Sequence, residues 1–215
     1  LSYAIKSLYF TLQGEGAHTG RAAVFLRFAG CNLWSGREQD RASAICTFCD
    51  TDFVGTDSPG GGKFADAESL ADAVAQCWQT HAMANGHLAP FVVLTGGEPS
   101  LQADAELIQA LHARGFEVAI ESNGTRPLPE GLDWVCISPK AGADLVVLSG
   151  DELKLVYPQQ GLDPAQFKNL AFTHFFLQPM DGPEIARNTH LAAEYCMAHP
   201  KWRLGFQMHK AVGLP

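Results

Sequence analysis

The chain has 215 residues, 47% of them hydrophobic and 18% charged, enough for one sizeable core. Its 15 Lys and Arg against 23 Asp and Glu leave a net charge of −8 with no basic run, which argues against nucleic acid as a direct partner. The longest apolar stretches, residues 91–94 and 146–148, fall far short of the roughly 20 residues that span a bilayer, so a soluble chain with no membrane partner is expected. Leu1-Ser2-Tyr3 shows neither the basic nor the apolar region of a signal peptide. Six cysteines, at 31, 46, 49, 77, 136 and 196, are too few and too unevenly spread for a disulfide scaffold, which predicts a reducing, cytoplasmic compartment.

In chain order, the first apolar run predicts a strand over residues 23–28, followed by a glycine-rich loop at 55–62. Leu70, Val74, Cys77, Trp78 and His81 repeat along one face and predict a helix over 66–82. Strand 91–94, helix 103–113, then strands 117–120, 134–137, 152–156 and 174–177 follow, and helix 184–199 precedes a last strand at 202–206. This alternation predicts an α/β fold with a largely parallel sheet. Nearly every strand runs at once into a polar or glycine-bearing cluster: Gly30-Cys31-Asn32, Thr95-Gly96-Gly97-Glu98-Pro99, Glu121-Ser122-Asn123-Gly124, Ser138-Pro139-Lys140, Gln178-Pro179-Met180-Asp181 and Gln207-Met208-His209. Ligands of such sheets bind at the carboxyl ends of the strands, so these clusters are expected to share one mouth.

Cys31, Cys46 and Cys49 have 14 and then 2 residues between them. On spacing alone three readings stand. Structural zinc needs a fourth ligand, which His18 or His81 would supply; a 4Fe-4S cluster on three thiolates leaves one iron open; unrelated core thiols are the third reading. Cys77, Cys136 and Cys196 fall in helix or strand patterns and read as small core hydrophobes.

The surroundings of the triad resemble radical S-adenosylmethionine enzymes: Phe48 lies inside the C-x-x-C, and Thr95-Gly96-Gly97-Glu98-Pro99 follows a strand. More narrowly, the chain resembles the 7-carboxy-7-deazaguanine synthases. The resemblance rests on Leu12-Gln13-Gly14-Glu15-Gly16, on Phe25-Leu26-Arg27-Phe28 leading to Gly30-Cys31-Asn32-Leu33, on Cys49-Asp50-Thr51, on Ser138-Pro139-Lys140 and on Asp151-Glu152-Leu153-Lys154. The first cysteine interval is longer than the usual three residues and reads as a loop insertion that leaves ligation intact. A glycyl-radical activating enzyme would have no reason to keep residues 12–16 or Cys49-Asp50-Thr51.

The resemblance implies a modified partial (β/α) barrel of the radical type, one domain over 1–215 with a cluster-binding loop at about 31–49. The implied reaction contracts 6-carboxy-5,6,7,8-tetrahydropterin to 7-carboxy-7-deazaguanine with loss of ammonia, in queuosine biosynthesis. By the same resemblance Cys31, Cys46 and Cys49 hold a 4Fe-4S cluster. Phe48, Asp50, Gly97, Ser138, Pro139, Lys140, Gln178, Pro179, Met180 and Asp181 hold S-adenosylmethionine. Leu12, Gln13, Gly14, Arg27, Thr95 and the carboxylate of Pro215 meet the pterin, and Thr51 holds Mg2+. An external reductant such as flavodoxin or ferredoxin and a homodimer are implied as partners. Read without the resemblance, Arg27 is equally a surface arginine or a site residue, Glu15 is a solvated carboxylate, Glu121 is a solvated carboxylate, a site residue or a strand-end hydrogen-bond acceptor, Lys154 either faces the mouth or snorkels, and His209 alone of the late histidines stands where a ligand would meet it.

Overall fold

A computed structural model describes residues 2–82 and 89–214. Thirteen elements follow in order: β1 (Tyr3–Leu12), β2 (Ala22–Phe28), β3 (Gly62–Phe64), α1 (Ala67–His81), β4 (Phe91–Gly96), α2 (Ala105–Ala113), β5 (Glu117–Ser122), β6 (Trp134–Ile137), β7 (Ser149–Tyr157), β8 (Ala171–Pro179), α3 (Ile185–Ala198), β9 (Arg203–Leu204) and α4 (Met208–Ala211). The strands form one sheet in the order β3-β1-β2-β4-β5-β6-β7-β8-β9. From β2 onward neighbours pair in parallel, whereas β1 is antiparallel to both β2 and β3. The sheet is open, with β3 and β9 at its edges, as a partial barrel requires.

Alternation along the parallel strands separates two faces. Val24, Leu26 and Phe28 of β2, Val92 and Leu94 of β4, and Val118 and Ile120 of β5 pack with Leu70 and Val74 of α1 and Leu107 and Leu111 of α2. Leu153, Leu155, Phe175 and Leu177 form the corresponding core under α3, closed by Trp202. On the opposite face, Ala23, Phe91, Val93 and Ala119 are buried together and fill the amino-terminal end of the barrel. One or two residues further along the same face, polar side chains begin: Arg27, Thr95, Glu121 and Lys154. The plug therefore closes one end and leaves a polar mouth at the other.

Two strands lie outside the predicted set. In β1 the buried positions include Lys6, Ser7 and Thr11, and the register with β2 shifts between Ile5 and Ser7, so no clean alternation of apolar residues marks it. Gly62, expected at the end of a loop, begins β3; a Cβ on Gly61 would lie 2.3 Å from Lys6 O, so the glycine run lets this edge press against β1. The last strand is shorter than 202–206 because the chain leaves the sheet after Gly205 N donates to Leu177 O (2.8 Å), and α4 follows. The helices begin one or two residues inside their predicted bounds because Asp66 and Asp104 are caps, accepting from Ser69 N and Leu107 N. Among the described residues no helix is long and apolar enough to cross a membrane.

Candidate active site

The carboxyl ends of the parallel strands surround a cavity of about 890 Å³. Each of six neighbouring strands, or the turn just after it, contributes a polar group: Arg27, Thr95, Glu121, Ser138, Lys154 and Gln178.

The cysteine side of the cavity is built by close backbone approach. Gly96 has φ +141, and a Cβ there would lie 2.4 Å from Phe28 O; a Cβ on Gly97 would lie 2.1 Å from Gly30 O and 2.9 Å from Cys31 Cβ. The paired glycines thus let the end of β4 press against the loop that carries Cys31. Glu98, fully buried, joins these ends: it accepts from Ser122 Oγ (2.8 Å), Asn123 N (2.7 Å) and Ser100 N (2.9 Å), while its own N–H donates to Gly30 O (2.9 Å). Its work is structural, between strand ends.

Cys31, Cys46 and Cys49 all line this one cavity, with Phe48 beside them. The Cys46 thiol hydrogen-bonds to Cys49 and lowers the Cys49 pKa to about 6, while the same bond and burial push Cys46 up. Burial also raises Cys31. Lys140 stands near the pair; burial pulls its pKa down, the two thiols pull it back, and its Nζ donates to Ser138 O (2.7 Å) and Oγ (2.6 Å). His18 packs against Phe91 and Trp134 and His81 stacks on Phe10, so both histidines offered to the zinc reading are engaged elsewhere. Among the described residues no three His, Cys, Asp or Glu side chains close on a single metal ion. A 4Fe-4S cluster takes one thiolate per iron and does not need its sulfurs to meet at a point, so three thiols facing a shared cavity fit that group.

The opposite wall carries a charge network. Lys154, 5% exposed, contacts Glu15 (2.6 Å) and Glu121 (3.0 Å). Glu15 also accepts from Gln207 Nε2 (2.8 Å), and Glu121 from Gln13 Nε2 (2.9 Å). Burial opposes the charge on Lys154, but Glu121 and Glu15 outweigh it and hold the ammonium well above its usual range. Burial likewise opposes ionisation of Glu15, and Lys154, Gln207 and His209 reverse the sign, lowering its pKa. Of the readings left open, Lys154 faces the mouth rather than snorkelling, and Glu15 and Glu121 are paired with it rather than solvated. Arg27 faces the cavity and donates to the Tyr9 hydroxyl (3.1 Å), with Leu26 and Phe28 buried on the other face of β2. Below this wall Glu152 is buried beside Cys136 (3.5 Å), and burial raises its pKa; Cys136 therefore has a polar neighbour as well as a core position.

Leu12, Gln13, Arg27, Phe48, Asp50, Thr51, Thr95, Gly97, Ser138, Lys140, Gln178, Pro179, Met180 and Asp181 line the cavity with the three cysteines. Two expected residues stand behind the wall. Gly14 makes room for His209, whose Nδ1 would be 1.9 Å from a Cβ there, and Pro139 presents its carbonyl to Gln159 (3.3 Å). Pro215 lies outside the described residues. Tyr9, Gln207 and Lys210 also line the cavity without having been singled out as site residues. Lys210 reaches Asp50 (2.7 Å) and Asp181 (2.5 Å) across the mouth. Tyr9 lies on the strand that pattern misses; Gln207 was visible only as part of a polar cluster.

No protein-family model matches the chain. Curated relatives do: a 7-carboxy-7-deazaguanine synthase of Bordetella pertussis is 62% identical over 215 residues, covering 100% of both chains. One of Bradyrhizobium diazoefficiens is 60% identical over 214 residues, again covering 100% of both. Among solved structures, the crystal structure of QueE from Escherichia coli superposes with a TM-score of 0.70 at 27% identity, covering 97% of this chain and 95% of that one.

Proposed function

Because the chain belongs to the 7-carboxy-7-deazaguanine synthase family, we propose that this cavity holds cluster, S-adenosylmethionine and pterin together. The enzyme contracts 6-carboxytetrahydropterin to 7-carboxy-7-deazaguanine with loss of ammonia, in queuosine biosynthesis. The observation that carries the site assignment is that three thiols and a guanidinium open on the same cavity. Cys31, Cys46 and Cys49 hold the cluster. The bound cluster and S-adenosylmethionine supply the hydrogen-atom abstraction that starts the rearrangement.

The chain's own residues orient the reactants and exclude water. Arg27 forks onto the substrate carboxylate, its guanidinium steadied by Tyr9. Glu15 and Glu121, both ion-paired with Lys154, are acceptors for the N–H groups of the pterin. Leu12, Gln13 and Thr95 complete that wall, with Gly14 shaping it from behind, and the carboxylate of Pro215 joins if it ends the chain. Phe48, Asp50, Gly97, Ser138, Lys140, Gln178, Met180 and Asp181 hold S-adenosylmethionine, with Pro139 and Pro179 fixing their turns. Thr51 would offer a hard oxygen to Mg2+, a cation whose charge would favour binding of the substrate carboxylate. One domain spans the chain; a homodimer covers the open sheet edge, and a flavodoxin- or ferredoxin-like protein of the cytoplasm delivers the electron.

Iron and sulfide analysis of anaerobically reconstituted protein tests the cluster assignment. Iron and sulfide near four each per chain, lost on substituting Cys31 with Ala, is the expected result; zinc without either overturns it. Thr51→Ala is expected to keep the cluster and raise the Mg2+ concentration for half-maximal turnover about tenfold. An unchanged Mg2+ titration would remove Thr51 from the metal.

A further inference from the structure

The insertion between Cys31 and Cys46 takes no part in the assignments above, and its most connected side chain is Arg41. The C-x-x-C turn has no helix or strand of its own from Cys46 to Phe53, so no ladder holds it. Arg41 Nη1 donates instead to two of its carbonyls, Thr47 O (3.0 Å) and Cys49 O (3.1 Å). The guanidinium is itself fixed. Its Nε donates to Glu38 (2.8 Å), and its carbon lies 4.0 Å from the centre of the Trp34 ring. Trp34 is buried edge-on against Phe53 (5.6 Å) and donates to Arg37 O (3.2 Å), while Leu33 O accepts from both Ile45 N and Cys46 N at the base of the insertion. Arg41 does not line the cavity, so it reaches the site only through the turn.

We propose that Arg41 is the positioning residue of the cluster loop: from the insertion it fixes the Cys46–Cys49 turn and places a permanent positive charge behind it. This rests on the reading that the three cysteines hold an iron–sulfur cluster. A cluster with three thiolates gains negative charge on reduction; Arg41 is paired with Glu38, but the guanidinium bonds the turn while the carboxylate is largely exposed to solvent, so the pair turns its positive end to the loop and stabilises the reduced form. Lysine keeps the charge but lacks the planar face for Trp34 and the second nitrogen held by Glu38, so it restores the electrostatics without the order.

The test uses anaerobically reconstituted full-length parent, Arg41→Met and Arg41→Lys, with iron and sulfide content, the electron paramagnetic resonance spectrum of the reduced cluster and its midpoint potential as readouts. The melting temperature before loading serves as the folding control. Arg41→Met is expected to titrate at a lower potential and to lose iron faster in air, with Arg41→Lys closer to the parent in potential than in iron retention. Should Arg41→Met match the parent in spectrum, potential and iron retention, the proposal is overturned. A fall in melting temperature with an unmoved potential in both variants also overturns it, since that is a structural role alone. If the parent takes up no iron and sulfide, the cluster reading fails, a result distinct from a loaded parent with indifferent variants.

Discussion

Lys154 is the single side chain on which the charged wall of the cavity depends. It lies among Glu15, Glu121 and Glu152, and without it three carboxyl groups would share a poorly hydrated space. Lys154→Met is therefore expected to cost about 3 kcal/mol, the lower end for a broken buried pair because Glu15 and Glu121 stay partly open to the cavity. The midpoint of urea unfolding at pH 7 measures this, and an unmoved midpoint would contradict the network. The pH dependence has opposite signs within the same group of residues. Glu15, with its pKa below the ordinary 4.5, adds stability that is complete above that value and is lost as pH falls through the lowered one. Glu152, raised by burial, costs stability once pH exceeds 4.5, until it ionises in the fold too. Unfolding midpoints followed from pH 6 down to about 3 are expected to fall less steeply for Glu15→Gln than for the parent and more steeply for Glu152→Gln. The same slope in all three would show that neither carboxyl titrates differently on folding.

At the scale of elements, the site depends on how closely β4 and the Cys31 loop approach. Gly97→Ala sets a methyl group against the Gly30 carbonyl, which is backbone and has no rotamer with which to yield. A loss of about 1–3 kcal/mol is expected from such overpacking, together with weaker cluster retention. A variant as stable as its parent, with normal iron content, would mean that the approach is looser than described. The elements legible in the sequence were those with continuous apolar runs or a clear helical face, such as β4 and α1. β1 was illegible because Lys6, Ser7 and Thr11 occupy buried positions: Lys6 satisfies its charge on Asp52 (2.9 Å) and Asp57 (3.0 Å), contacts that only tertiary structure supplies. Several of the site motifs converge for the same reason that the strands were legible, since those at Thr95–Pro99, Ser138–Lys140 and Gln178–Asp181 end parallel strands, whereas Leu12–Gly16 follows the antiparallel β1 and Cys49-Asp50-Thr51 lies in a loop. The Lys154 network escaped local reading, because Glu15, Glu121 and Lys154 lie on separate stretches and their pairing belongs to the barrel.

For the molecule as a whole, an apolar plug closes one end of an open sheet and the carboxyl-terminal segment folds over the other. Met208 N donates to Gly14 O (2.9 Å), Gln207 holds Glu15, and Lys210 spans from Asp50 beside the Cys46–Cys49 turn to Asp181 after β8. That closing segment is short and polar, with no period for sequence reading to detect, yet it completes the chamber in which cluster, cofactor and pterin would meet. The most direct test of that shared chamber is anaerobic turnover of reconstituted protein with reductant, S-adenosylmethionine, Mg2+ and 6-carboxytetrahydropterin, read by mass spectrometry. The expected result is 7-carboxy-7-deazaguanine, a product one ammonia lighter than its substrate, with activity lost in Cys49→Ala. Accumulation of 5'-deoxyadenosine with no such product would contradict the account, because the radical machinery would then be working in a cavity that does not receive the pterin.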